Sequence, residues 1–139
     1  MIIKQLTVFL ENKSGRLSEV TRVLGENGIN ISALSIADTS EYGLLRLIVS
    51  DGAKATELLK KNGFSVNLTD VICLNVKHEP GTLHDAIKTL SDAGIDIEYM
   101  YAYAVGDNAA VIMKVSDAKE AIYILTQNNI DLLKSHEIK

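Results

Sequence analysis

The chain has 139 residues with 14 Lys and Arg against 18 Asp and Glu, a net charge of −4 and one cysteine. That acidic balance, with a pI near 5.3, argues against nucleic acid or an anionic membrane surface as partner. Lys4 and Gln5 interrupt any leader-like start, and no apolar run approaches the roughly 18 residues of a membrane span, so a reducing, cytoplasmic setting is expected.

In chain order, Leu6, Val8 and Leu10 alternate with Gln5, Thr7 and Phe9, which predicts a strand. Asn12 to Gly15 are loop formers. Leu17, Val20, Thr21 and Leu24 then recur at helical spacing, with Arg16, Glu19, Arg22 and Glu26 on the other side and Gly28 as the stop. Residues 29–39 read as a strand, 40–43 as a turn, and 44–50 as the hairpin partner. Asp51 is the expected N-cap of a second helix that carries Ala55, Leu58 and Leu59 inward. Asn62 and Gly63 stop it, and a short strand over 64–68 follows.

The order then repeats. Gly15-Arg16-Leu17 returns as Gly81-Thr82-Leu83, Gly28-Ile29-Asn30-Ile31 as Gly94-Ile95-Asp96-Ile97, and Val49-Ser50-Asp51 as Val115-Ser116-Asp117, always 66 positions on. Ile72, Leu74 and Val76 alternate; Leu83, Ala86, Ile87 and Leu90 form the helix face. Residues 97–105 and 111–115 pair as a hairpin, Asp117 caps a helix with Ala121, Ile122 and Leu125, and 130–133 closes the copy.

The chain is therefore two βαββαβ modules, 1–69 and 70–139. Each is expected to form an α+β, ferredoxin-like sandwich with an antiparallel sheet and its helices on one face. Copies of about 65 to 70 residues bury only roughly 60% of their unfolded surface and are marginal alone. They are expected to pack side by side, without a flexible linker, and the chain is expected to dimerise.

The fold hosts many functions, so function must be argued from a site. An RNA-binding module would need strand aromatics and a basic face, and the first copy offers only Phe9 on its first strand. One cysteine excludes Cys-x-x-Cys metal sites and ferredoxin clusters, and neither nucleotide-binding glycine fingerprint occurs. Cys73, in an apolar run, reads as a buried and idle thiol. His78, His84 and His136 do not form a ligand set, and no nucleophile, base and orienter converge. No metal, cofactor or enzymatic activity is expected.

Two motifs remain. One is the loop after the first strand, Asn12-Lys13-Ser14-Gly15-Arg16-Leu17 and His78-Glu79-Pro80-Gly81-Thr82-Leu83. The other is the helix-to-strand junction at Asn30-Ile31 and Asp96-Ile97. In this order and register, the whole chain resembles the ACT domain, a ligand-sensing module of amino-acid metabolism. The resemblance implies modules that pair through their sheet edges and bind free amino acids at the seam. There the first loop of one module faces the start of the second strand of its partner. It implies a regulatory protein that binds a free amino acid, a homodimer, and similarity to stand-alone double-ACT proteins. The alternative is an interaction subunit without ligand, tuning an amino-acid biosynthetic enzyme such as acetolactate synthase.

The physical case is that a helix start offers N–H groups and partial positive charge to a carboxylate. Asn12 and Asn30 both donate and accept, whereas ionised Asp96 only accepts. Lys13 and Arg16 read as solvated helix-start charges that favour the first loop, since Glu79 and Thr82 replace them in the second. His78 reads as a solvated loop residue. Leu17, Leu83, Ile31 and Ile97 fall on the core by periodicity. Tyr99, Tyr101 and Tyr103 share one strand face, as packing or interface.

Overall fold

Alternation makes Ile3–Glu11 the first strand, β1, with Leu6, Val8 and Leu10 inward and Phe9 and Glu11 exposed. The computed structural model describes residues 1–11, 13–38 and 42–138. After β1 come α1 (Arg16–Glu26), β2 (Ile31–Asp38), β3 (Tyr42–Val49) and α2 (Gly52–Lys61). β4 (Ser65–Lys77) is one strand running through residues 69 and 70, where the sequence predicts the end of one copy and the start of the next. Then follow α3 (Thr82–Asp92), β5 (Ile97–Val105), β6 (Asn108–Val115), α4 (Ala118–Gln127), the two-residue β7 (Asp131–Leu132) and a short 3-10 turn, Ser135–Glu137. The predicted turn over 40–43 lies partly outside the described residues, and Gly43 already belongs to β3.

Two compact units result, Lys4–Thr69, and Asp70–Ile138 together with Met1–Ile3. In the first, the strand order is β2-β3-β1-β4, with β3 antiparallel to both β1 and β2. In the second, β6 lies antiparallel between β5 and β4, and β7 is antiparallel to β4. Each unit has its own core, and the two cores repeat at matching positions. Leu6 and Ile72, Val8 and Leu74, Val20 and Ala86, Leu24 and Leu90, Ala55 and Ala121, and Leu59 and Leu125 are all buried. These pairs stand 66 positions apart, so the repeat read in the sequence is a repeat of packing. The fold is two βαββαβ modules with antiparallel sheets.

Helix ends follow the sequence as well. Asp51 Oδ1 accepts from Lys54 N at 3.0 Å, and Asp117 Oδ1 from Glu120 N at 3.1 Å. Leu17 departs from the expected pattern. It is 39% exposed, while Val20, Val23 and Leu24 carry the α1 core face. The helical stripe does reach Leu17, but its side chain stays outside the buried core. Instead it borders a cavity of about 180 Å3 beside Ile36 and Gly43. Leu83, Ile31 and Ile97 are half-buried and pack against their cores.

Candidate functional site

Both β1–α1-type loops end on a glycine in the left-handed region, Gly15 at φ 86° and Gly81 at φ 91°. Each is the N-cap of its helix and neither helix has a side-chain cap, in contrast to the Asp-capped α2 and α4. The N–H groups of Leu17 and Ser18, and of Leu83 and His84, have no partner among the described residues. N–H groups at a helix start suit an acceptor such as a carboxylate. An added Cβ at Gly15 or Gly81 would meet nothing within 4 Å, so the glycine answers to backbone conformation rather than space. Gly15→Ala and Gly81→Ala should therefore each cost about 1 to 2 kcal/mol in urea denaturation, the strain of a left-handed alanine. Neutral substitutions would mean that the loops relax out of this conformation.

The first loop is more basic but not simply solvated. Lys13 Nζ is 2.9 Å from Glu11 Oε2, and both side chains are exposed. The hydrogen bond from Lys13, then its charge and that of Arg16, hold the Glu11 carboxyl below its ordinary range. The expectation that Arg16 is a solvated charge is corrected. Its guanidinium sits 4.3 Å above the Phe64 ring and 2.9 Å from Glu19, its side chain is 23% exposed, and its Nε is buried without a partner among the described residues. A charge held by a ring and a carboxylate is fixed in place, with its remaining N–H groups oriented. Asn12 lies outside the described residues, and Ser14 is an exposed turn residue.

The second loop closes on itself. Thr82 Oγ1 is 2.6 Å from Lys77 O and 3.1 Å from Glu79 O, and its single proton serves either carbonyl. His78 N donates to Asp107 O at 2.8 Å, tying the loop to the β5–β6 turn. Pro80, His78 and Glu79 are exposed.

Asn30 and Asp96 are equivalent in backbone and differ only in side chain. Each N–H donates to a serine hydroxyl at 3.0 Å, Ser50 and Ser116 respectively. Each carbonyl accepts from the same serine's N–H at 2.9 Å. The local-backbone role is thus filled by main-chain atoms, leaving both side chains exposed. Neither unit brings its own loop and junction together. Glu11 pairs with Tyr42 and Ile31 with Val49, so seven residues of β3, about 23 Å at about 3.3 Å per residue, separate them. Lys77 with Asn108 and Ile97 with Val115 repeat that separation along β6.

Each loop does line cavities within its own unit. One of about 520 Å3 opens at the end of β1 against Phe9, Glu11, Lys13, Arg16 and Tyr42. In the second unit, about 270 Å3 opens between the loop and Tyr103, and about 450 Å3 between it and Asp107. Phe9 and Tyr42 were not among the expected site residues. The available signal was a large aromatic at the outward position of a strand whose inward positions are all aliphatic. Tyr99, Tyr101 and Tyr103 are half-buried opposite Lys114, Ile112 and Ala110, on the β5 face turned from the helices. Burial raises the Tyr103 phenol, and Cys73 adds to the shift. Among the described residues no group of three or more His, Cys, Asp or Glu could hold a metal, and no helix is long and apolar enough to cross a membrane.

A family model for the ACT domain pair matches residues 1–139. The chain belongs to the ACT domain pair family. Protein BT0572 from Bacteroides thetaiotaomicron is 46% identical over 99% of this chain and 96% of that one, with a TM-score of 0.96. The regulatory subunit of aspartate kinase from Thermus thermophilus, in a ligand-free form, superimposes with a TM-score of 0.69 at 17% identity, covering 92% of this chain and 94% of that one. The same subunit from Thermus flavus gives 0.60 at 19% identity, over 90% and 92%. These last two share the ACT fold. No curated protein sequence matches this ACT pair.

Proposed function

We propose that this ACT pair is a regulatory protein, not an enzyme, that binds a free amino acid. The ligand sits where the β1–α1 loop of one module meets the second-strand junction of a paired module, in a homodimer. The observation that carries this reading is the pair of uncapped, glycine-led helix starts, present in both modules where the other two helices are capped by aspartate. A carboxylate satisfies the open N–H groups, and the exposed Asn30 or Asp96 side chain of the paired module suits an ammonium. The separation of loop and junction within each module is the reason a paired module is needed.

Thermal denaturation of the full chain with each of the twenty amino acids tests this. One of them at about 100 times its Kd should stabilise the protein by about 2.7 kcal/mol. Lys13→Glu, which writes the second loop's Glu79 into the first, should weaken that ligand about tenfold, or about 1.4 kcal/mol. No shift with any amino acid would overturn the reading. It would favour the second one, a ligand-free subunit of an amino-acid biosynthetic enzyme. Leu34 and Ile36, each 47% exposed on the edge strand β2, are the observation on that side.

A further inference from the structure

The two modules keep the same core and differ most sharply around one cavity. Phe9 and Glu11 alternate with the buried Val8 and Leu10, which places them on the β1 face turned from the helices. Tyr42 pairs with Glu11 in register and shares that face. The Phe9 and Tyr42 rings lie 5.9 Å apart at 41°, and the two residues are 43% and 42% exposed. Their cavity of about 520 Å3 falls within the roughly 300–1,000 Å3 usual for small-molecule sites.

Sixty-six positions on, Phe9 becomes Asn75, Tyr42 becomes Asn108, Glu11 becomes Lys77, Lys13 becomes Glu79 and Arg16 becomes Thr82. The backbone pairing does not change: Glu11 with Tyr42 corresponds to Lys77 with Asn108. The second module folds without the aromatic pair, with the charges of Glu11 and Lys13 reversed and that of Arg16 absent. Architecture therefore does not require the first module's set.

The set matches a zwitterion. Lys13 and the fixed Arg16 present cations to a carboxylate, and Glu11 presents an anion to an ammonium. Lys13 is paired with Glu11 and Arg16 with Glu19, so a zwitterion's two ends exchange with existing ion pairs and no charge is left over for a charged side chain. The exposed, tilted rings offer a face and an edge to a third ring, which an aliphatic chain uses less well.

We infer that the first module binds an amino acid with an uncharged aromatic side chain, its ring against Phe9 and Tyr42, its ammonium at Glu11 and its carboxylate at Lys13 and Arg16. This rests on the amino-acid-binding reading above, adds the side-chain class and the module, and takes Glu11 in place of the paired module's Asn30 or Asp96 as the partner of the ammonium.

Calorimetry of the full chain with L-phenylalanine, L-tyrosine and L-tryptophan, against L-leucine, L-valine, L-aspartate and L-lysine, tests it. The aromatic amino acids should bind tightest. Phe9→Asn and Tyr42→Asn, each installing what the second module already carries, should weaken them about fivefold to tenfold. Asn75→Ala, the matching position of the second module, should leave affinity unchanged. Circular dichroism establishes that each variant is folded, and Glu11→Gln, which keeps the shape and removes the charge, should weaken binding independently of the rings. Tightest binding of an aliphatic or charged amino acid, or unaltered aromatic affinity in Phe9→Asn, would overturn the side-chain class and leave the amino-acid sensor standing. Binding of no amino acid would overturn both.

Discussion

At pH 8 the native protein should lose its Cys73 thiol to iodoacetamide at least about a thousandfold more slowly than the urea-unfolded chain. Cys73 is fully buried in β4, and burial pushes the thiol up to about 12, with a backbone hydrogen bond involving Val111 opposing the shift. At pH 8 a thiol near 12 is about one part in ten thousand thiolate, against about a quarter for a free one near 8.5. Steric closure slows the reaction further. The same shift gives stability a pH dependence. The unfolded thiol ionises near 8.5 while the folded one keeps its proton, so this contribution is complete below about 8.5 and is lost as pH rises toward 12. Labelling time courses followed by mass spectrometry measure the ratio. Comparable rates in native and unfolded protein would show that the sheet of the second module opens around Cys73.

Leu24→Ala and Leu90→Ala should each destabilise by about 2 to 5 kcal/mol in urea denaturation. Both leucines are fully buried, and they occupy the same turn of α1 and α3 in the two cores. Each truncation removes a side chain packed on all sides and leaves a cavity that helix and sheet only partly close. Leu17→Ala should cost less than about 1 kcal/mol, since a partly exposed side chain loses few contacts. The contrast separates burial from periodicity, because Leu17 and Leu24 share one helical stripe. A large loss at Leu17, or a small one at Leu24, would mean that α1 docks in a different rotation.

Much of this architecture was legible because it is written in local and periodic signals. Strand alternation at Leu6, Val8 and Leu10, helical spacing at Leu83, Ala86 and Leu90, and aspartate caps at Asp51 and Asp117 each depend on neighbours a few residues away. The 66-residue repeat then doubled every such signal and identified the glycine-led loops at Gly15 and Gly81 as parts of one design used twice. Family membership followed from the same motifs in their order.

What the tertiary structure decided are the matters of register and of what lies opposite. Periodicity puts Leu17 on the inward stripe but does not say that it borders a surface cavity rather than the core. Arg16 reads as a helix-start charge until Phe64, from the link between α2 and β4, comes beneath its guanidinium. Phe9 and Tyr42 meet only because β1 and β3 pair as Glu11 with Tyr42, a register that neither strand carries alone. That register also separates the Asn30 junction from its own loop by seven residues of β3, about 23 Å. A strand's own residues determine which side chains share a face. The pairing of distant strands determines which of them share a site.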